Sequence, residues 1–399
     1  MVSPCETTLA SVCALIAAWA RSPVAPLGGA LGQCAPHDIA APVVQGLLQR
    51  AGLPAHAVDA VVAGNALGAG GNPARLVALA AGLPERAATY SVDTQCCAGL
   101  DAVALGVGLI ASGQAELVVA GGVEAWSRAP IRQHRPRHAG EAPVPFDRPA
   151  FAPEPWRDPD MLWSAARHAL TQGITRAAQD AYAVQSHARA LRHQAELADE
   201  IVPVAGVAHD LYPRALDAAR VARLPAVVKR RELDLPIAEG EPDTSLSALT
   251  ISAKADGAAF VLLASPAACQ RWGLRPRAAW LGHASLGGDP ATPLVMAAQA
   301  ALALLQRQAL LVNALHTIEL HDAFAVQGLQ FADALGLGPQ RLNRRGGGLA
   351  RGHPIGASAA VALVRALADL WRDGVAGDLG LCAVAGAGGL GSAALLRRL

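Results

Sequence analysis

The stretch Val92-Asp93-Thr94-Gln95-Cys96-Cys97-Ala98-Gly99-Leu100 joins a strand-like run, Ala88 to Val92, to a small-residue helix predicted over Leu100 to Ser112. The polar turn between them ends in a cysteine. Unpaired backbone N–H groups and the positive end of a helix dipole meet at such a turn, and both lower a thiol pKa toward the thiolate. Taken alone, Cys96 also fits a small buried filler, since free cysteine is among the most buried residue types.

The second half of the chain supplies a partner for this turn. Leu-Leu-Gln-Arg occurs at 47–50 and again at 304–307, an offset of 257 residues. The same offset carries Gly99 to Gly356 and Cys96 to His353. Cys96-Cys97-Ala98-Gly99 therefore lies over His353-Pro354-Ile355-Gly356, and both precede an Ala/Val/Leu helix. A shared tetrapeptide means little in a Leu/Ala-rich chain, but a register shared by helix, turn and glycine indicates an internal repeat. Two copies of one α/β unit packed about a pseudo-twofold axis would set Cys96 and His353 at facing helix starts. A cysteine facing a histidine is the arrangement of an activated thiol nucleophile.

Working outward, residues 8–20 predict a first buried strand, Arg21 to Gly32 a Pro/Gly loop, and His37 to Ala51 a helix ended by Gly52 and Pro54. Ala57 to Ala63 reads as a short buried strand, Gly64 to Gly71 as a glycine-rich loop, and Asn72-Pro73 as the start of a helix to Ala81. Glu116 to Gly121 and Ala258 to Ala264 are further buried strands. Apolar runs without period-two alternation, interleaved with helices, predict an α/β fold whose sheet is covered on both faces. From about Glu124 to Ser247 the pattern breaks. Prolines 143, 145, 149, 153, 155 and 159 cluster, and one clear helix stands out, Thr175 to Ala195. This predicts an inserted, irregular, ligand-facing region. Its cations Arg214, Arg220, Arg223, Lys229, Arg230 and Arg231 fit either a solvated face or contact with a phosphorylated ligand.

Composition narrows the function classes. The 399 residues are 52% hydrophobic and 16% charged, which predicts a large buried core divided among two or three domains. Aromatics are only 4%, so small aliphatic residues do the packing. A net charge of +1 gives no support for nucleic-acid binding. Seven scattered cysteines make neither a disulfide framework nor a CxxC metal pair, and the run Leu9 to Ala20 follows Glu6 rather than a basic segment. The expectation is a cytoplasmic protein with no membrane span. His134 and His138 have metal-like spacing but sit among Arg132, Arg135 and Arg137 in a loop, so no metal is assigned. Gly386-Ala387-Gly388-Gly389-Leu390-Gly391 matches GxGxxG, but too little chain follows for a dinucleotide fold.

These residues resemble the thiolase family of coenzyme A-dependent acyl-transfer and Claisen-condensing enzymes. The likeness covers nearly the whole chain: Arg21-Ser22-Pro23-Val24 with Gly28-Gly29, Asn72-Pro73-Ala74-Arg75, Gln95-Cys96-Cys97-Ala98-Gly99-Leu100, Gly121-Gly122-Val123-Glu124-Ala125-Trp126-Ser127, Glu200-Ile201-Val202-Pro203, Asp256-Gly257-Ala258-Ala259 and Gly352-His353-Pro354-Ile355-Gly356-Ala357-Ser358. The resemblance implies a thiolase fold, two similar α/β halves layered α-β-α-β-α and related by duplication, plus an inserted loop domain. The N-terminal half would comprise 1–124 with 248–268, the loop domain 125–247, and the C-terminal half 269–399. It implies an acyltransferase that binds no cofactor, takes an acyl-CoA thioester as substrate and forms a homodimer or homotetramer. By similarity, Cys96 carries the acyl group as a thioester, His353 accepts its proton, and backbone N–H groups of Cys96, Ala387 and Gly388 hold the oxyanion. Ser252, Arg214, Arg223, Met161, Leu162, Trp163, Ala323 and Phe324 are the implied substrate contacts.

The chain also departs from that pattern. The family's second cysteine, an acid/base for the α-carbon proton, falls on Ala385; Cys382, three residues earlier, would face away in an extended strand. The alternative His-Asp-Cys-Phe motif reads His321-Asp322-Ala323-Phe324 here. His321 replaces the asparagine of Asn-Glu-Ala-Phe, which makes Cys96, His353 and His321 similar to the Cys-His-His set of decarboxylating condensing enzymes. His321 is then expected to donate to a thioester carbonyl or act as a base, against the alternative of a satisfied structural histidine. Trp163 replaces a glycine and is expected to narrow the acyl or pantetheine channel, and Arg345 replaces the asparagine of Asn-Gly-Gly. An acyl-CoA-binding subunit of a heteromeric complex is the competing reading.

Overall fold

The computed structural model describes residues 14–68, 70–228 and 242–399. In chain order the first half contains β1 (Leu15–Arg21), α1 (Pro36–Ala51), β2 (Ala60–Gly64), α2 (Pro73–Ala80), β3 (Ala88–Val92), α3 (Ala98–Ala111) and β4 (Leu117–Ala125). The two long helices of the intervening segment are α4 (Met161–Thr171) and α5 (Arg176–Arg192), and β5 (Ala255–Ala264) returns to the sheet. The second half contains β6 (Ala278–Gly287), α6 (Met296–Arg307), β7 (Leu315–His321), α7 (Ala325–Ala334), α8 (Ile355–Asp373), β8 (Leu379–Gly386) and β9 (Leu390–Arg398). The strands run in the order β7-β8-β9-β6-β1-β5-β4-β2-β3. β2 pairs parallel with β3 and β4, and β7 parallel with β8; the other pairs along this path are antiparallel. The halves join where Leu15 and Ile16 of β1 pair with Ala279 and Ala278 of β6.

Three apolar cores define five layers. One lies under α1 and α2, built from residues such as Ile39, Val43 and Val77. A second lies under α6, around Leu304, Leu305 and Leu395. The central core surrounds α3 and α8, which pack on each other between the sheets of the two halves. Fifteen of the 19 residues of α8 are buried, so the helix has no solvent face along most of its length. Close approach there demands residues without side chains: a Cβ on Gly64 would sit 2.6 Å from the Gly356 carbonyl oxygen, and one on Gly122 would collide with the same carbonyl. These are the contacts that bring the starts of α3 and α8 together.

The repeat survives where it positions the site. An offset of 257 maps α1 onto α6, β2 onto β7, and α3 onto α8. It fails at β3, whose counterpart, 345–349, is a turn leading into the short helix Gly348–Arg351. Here the buried Asp322 carboxylate accepts from the N–H groups of Gly348 and Leu349. Other expectations need adjustment. The segment between β4 and β5 holds α4 as well as α5; α4 is capped by the Asp160 side chain accepting from Leu162 N. β4 runs to Ala125, because it is covered on both faces to its end. Residues 1–13, including the start of the first expected strand, lie outside the described residues, as do Lys229, Arg230 and Arg231. Among the described residues no helix is long and apolar enough to cross a membrane.

Candidate active site

β3 delivers the chain to a turn held by its own side chains. Asp93 Oδ1 accepts from Gln95 N at 2.9 Å and Gln95 Nε2 at 3.0 Å, and Thr94 Oγ1 donates to Asp101 Oδ2 at 2.6 Å. Gln95 takes φ +54°, a left-handed conformation that a side chain adopts only under constraint. Cys96 then lies in a single 3-10 turn, Gln95–Cys97, that feeds α3. On the other half, His353 precedes α8, its N–H donating to Ala253 O at 2.7 Å. Cys96 Sγ and His353 Nε2 stand 3.2 Å apart.

The far side of the imidazole meets two polar groups. His353 Nδ1 is 2.8 Å from Ser358 Oγ, whose single hydroxyl proton is donated to Pro354 O at 3.0 Å. In the tautomer protonated at Nδ1, Ser358 accepts from Nδ1–H and the Nε2 lone pair faces the thiol, which is the form that can take the thiol proton. His321 Nε2 lies 2.6 Å from the same Nδ1, with the two rings stacked at 4.6 Å and 22°. His321 is 3% exposed and does not line the cavity. Its ring is backed by Gly348, where a Cβ would approach His321 Cε1 to 2.7 Å. His321 stands behind His353 as seen from Cys96, between the end of β7 and the Gly348 turn.

The expected thiolate is corrected. Burial pushes the Cys96 thiol up to about 12, although the N–H groups of Ala387 and of Cys96 itself pull the other way; the Glu124 and Asp93 carboxylates add to the rise. Desolvation thus outweighs the helix-start field. Burial likewise pushes His353 down to about 4, and it holds His321 well below the usual histidine range, with His353 and Arg351 adding to that shift. The resting pair is a neutral thiol facing a neutral imidazole.

A cavity of about 460 Å³ opens onto this pair. Its wall includes Met161, Leu162, Ser252, Ala323 and Phe324, together with Ala385 and Ala387. Ser252 Oγ donates to Gly348 O at 2.7 Å, so it ties the cavity wall to the turn behind His321. The N–H groups of Ala387 and of Cys96 itself act on the Cys96 sulfur, and both favour its charged form. Gly388, at φ +80°, faces Phe151 and is not part of the wall. Trp163 is also elsewhere: it is 42% exposed and lines a separate cavity with Trp156 and Arg167. Met161 and Leu162 line the cavity at Cys96, whereas Trp163 does not. Arg214 stacks 4.3 Å over Tyr212 and Arg223 is exposed; neither lines the cavity. Among the described wall residues Cys96 is the only cysteine. Cys382 lies behind β8 with its Sγ 3.8 Å from Ala359 O, on the face opposite Ala385, as the strand alternation predicts. Arg345 is spent on Asp369, Asp373 and Glu196.

Several contributors were not assigned from the sequence. Glu124 is fully buried and accepts from Asn65 Nδ2 at 2.7 Å, Ala66 N at 2.9 Å and Gly356 N at 3.0 Å, joining the loop after β2 to the start of α8. Burial pushes its carboxyl up to about 7. The signal available was a lone acid at the end of an apolar strand. Trp126 Nε1 donates to His353 O at 3.0 Å, and Ser358 lies within the quoted histidine motif without an obvious task until Nδ1 is placed beside it.

Comparison with known proteins adds to this geometry. The profile of the thiolase N-terminal domain matches residues 14–267 and that of the thiolase C-terminal domain matches residues 274–398. A probable acetyl-CoA acetyltransferase from Mycolicibacterium smegmatis is 33% identical over 393 residues, covering 96% of this chain and 100% of that protein. A β-ketoadipyl-CoA thiolase from Pseudomonas aeruginosa is 35% identical over 413 residues, covering 95% and 97%. Among solved structures, an acetyl-CoA acetyltransferase from Bacillus anthracis superposes with a TM-score of 0.85 at 30% identity, covering 97% of this chain and 98% of that one. A thiolase from Ascaris suum in complex with coenzyme A gives 0.84 at 30% identity, covering 97% and 100%.

Proposed function

The chain belongs to the thiolase family and is a coenzyme A-dependent acyltransferase, and from that premise we propose that Cys96 is the residue that carries the acyl group. The observation that carries this reading is the 3.2 Å contact between Cys96 Sγ and His353 Nε2 at the floor of a cavity. As Sγ attacks the thioester carbonyl, its proton passes to Nε2, and Nδ1–H of the resulting imidazolium remains bonded to Ser358 and His321. The N–H groups of Cys96 and Ala387 stabilise the tetrahedral oxyanion. Collapse breaks the C–S bond to coenzyme A, whose thiolate takes the proton back from Nε2. Acyl-Cys96 and free coenzyme A result.

The second half-reaction is where this chain parts from a two-cysteine mechanism. With alanine at 385 and 323, no wall cysteine other than Cys96 remains to take or return an α-carbon proton. A condensing partner that generates its carbanion by losing CO₂ needs no such base, which favours a malonyl-type acceptor as the second reading. His321 then acts through His353 as a positioning residue. Incubation with acetyl-CoA and longer acyl-CoAs, followed by intact-protein mass, tests the first step: an acyl adduct absent in Cys96→Ala is expected. Absence of any adduct, or coenzyme A binding without acylation, favours a non-catalytic subunit. Malonyl-CoA supplied to the acyl-enzyme tests the second step, with a condensed product and CO₂ expected, against hydrolysis to free acid.

We also propose that the chain assembles as a homodimer or homotetramer. β3 is an edge strand with Ala88, Tyr90 and Ser91 exposed, and Leu79 and Leu105 are exposed on the helices beside it. Light scattering that finds a monomer at micromolar concentration rejects this.

A further inference from the structure

Only two lysines occur in the 399 residues, at 229 and 254, so these carry the only side-chain ammonium groups of the sequence. One of the two stands at the reaction cavity. Lys254 forms a backbone bridge with His353, and its Nζ lies 4.5 Å above the ring of Trp126. The same indole donates to His353 O, so lysine, tryptophan and catalytic histidine are mutually anchored. Lys254 lines the wall of the cavity that holds Cys96. Among the described residues no carboxylate pairs with it.

Of the other charged groups of the wall, Arg148, Asp160 and Arg132 are engaged with side chains or backbone. Arg148 is paired with Asp158 at 2.5 Å. Asp160 caps α4, and Arg132 donates to the backbone carbonyl of Asp147 at 2.6 Å. Asp147 itself is exposed at the rim. Much of the remaining wall is apolar, from Leu67, Phe151, Ile251, Leu294 and Ile355. An ammonium held on an aromatic face beside an apolar channel is a compact point charge with three donors and no anion.

Resting on the acyl-Cys96 reading, we propose that Lys254 is a specificity-determining residue that recognises a carboxylate at the far end of the acyl chain, so that the preferred donors are ω-carboxyacyl-CoA thioesters. The phosphates of coenzyme A are a poor match for this position. They lie a full pantetheine arm from the reacting sulfur, whereas Lys254 is anchored on the residue that contacts Cys96 Sγ. The apolar wall accommodates the methylenes, and the ammonium terminates the chain.

The test compares adipyl-CoA with hexanoyl-CoA, two six-carbon donors that differ in the terminal carboxylate. Single-turnover acylation of Cys96 is followed by intact mass in wild type, Lys254→Met and Lys254→Arg. Wild type is expected to prefer the adipyl donor, and Lys254→Met to lower the adipyl-to-hexanoyl ratio of kcat/KM by about ten- to a hundred-fold, the range for losing a hydrogen bond to a charged group. Lys254→Arg should retain part of the preference. A preference that is absent in wild type or survives Lys254→Met overturns the inference and leaves acyl transfer to Cys96 standing. Equal slowing of both donors also overturns it, because a contact with coenzyme A would weaken every thioester alike. A Lys254 dependence seen only with malonyl-CoA in the second step overturns it in favour of the acceptor's carboxylate. If neither donor acylates wild-type Cys96, the acyl-enzyme reading fails and this inference falls with it.

Discussion

Removing the imidazole of His353 should change the shape of the pH profile for acylation as well as its height. With the Cys96 thiol pushed up to about 12, only about one site in 10⁵ holds a preformed thiolate at pH 7. The reactive state is therefore thiol plus neutral imidazole, with proton transfer during attack. Burial puts His353 at about 4, so this state persists from about pH 5 to about pH 10. The wild-type acylation rate should be flat across that window and fall below it as the imidazole gains a proton. In His353→Ala the thiolate must form before attack. The rate should then climb tenfold per pH unit between 6 and 9, and at pH 7 lie roughly 10²- to 10⁴-fold below wild type, the usual range for a positioned general base. Opening the site to water shifts the intercept of the mutant line and leaves its slope. Rapid-quench single turnovers with acetyl-CoA, read by intact mass, give both profiles. A wild-type rate that rises tenfold per unit from pH 6 to 9 would refute the neutral-pair argument, as would a flat profile in His353→Ala.

Other consequences follow from the same geometry. Ala385→Cys puts a thiol on the cavity face of β8, so acetoacetyl-CoA thiolysis should rise at least about tenfold over wild type, unaffected by Cys382→Ala. No gain would show that something other than the missing thiol limits the second step. Glu200→Ala strips the carboxylate shared by the buried guanidiniums of Arg21 and Arg365, and denaturant melts should show a loss of about 3–5 kcal/mol; a loss under about 1 kcal/mol contradicts that assignment. His187 is fully buried without a partner on either ring nitrogen, and burial pushes it to about 4. Its depressed pKa means the unfolded chain binds the proton first, so stability is full above the ordinary value near 6.5 and drains as pH falls toward 4. At pH 5 that amounts to about 2 kcal/mol, which His187→Leu should recover relative to pH 7.5; equal melting differences at the two pH values would reject it.

Much of the scaffold was legible in the residues. The 257-residue offset holds for α1 and α6, β2 and β7, and α3 and α8, the last two of which follow directly on Cys96 and His353. Their packing requires small residues at fixed places, and glycine at 64, 122 and 356 is visible in a sequence without any coordinates. Alternation along β8 likewise put Cys382 and Ala385 on opposite faces. Less regular segments were harder. α4 begins in a proline-rich stretch and is capped by Asp160, and the counterpart of β3 is a turn whose N–H groups meet the Asp322 carboxylate.

By itself, then, the sequence determined the α/β repeat, the pairing of Cys96 with His353 and the absence of a cysteine at 385 and 323, because each is carried by local pattern or by spacing. Only the tertiary structure decided the charge state of that pair, the withdrawal of His321 behind His353, the exclusion of Trp163 and the exposure of Lys254 to the cavity. Those depend on burial and on the direction of side chains brought together from distant segments. Desolvation is a property of everything packed around a group, so the same thiol that a helix start alone would ionise is kept neutral once both halves close over it.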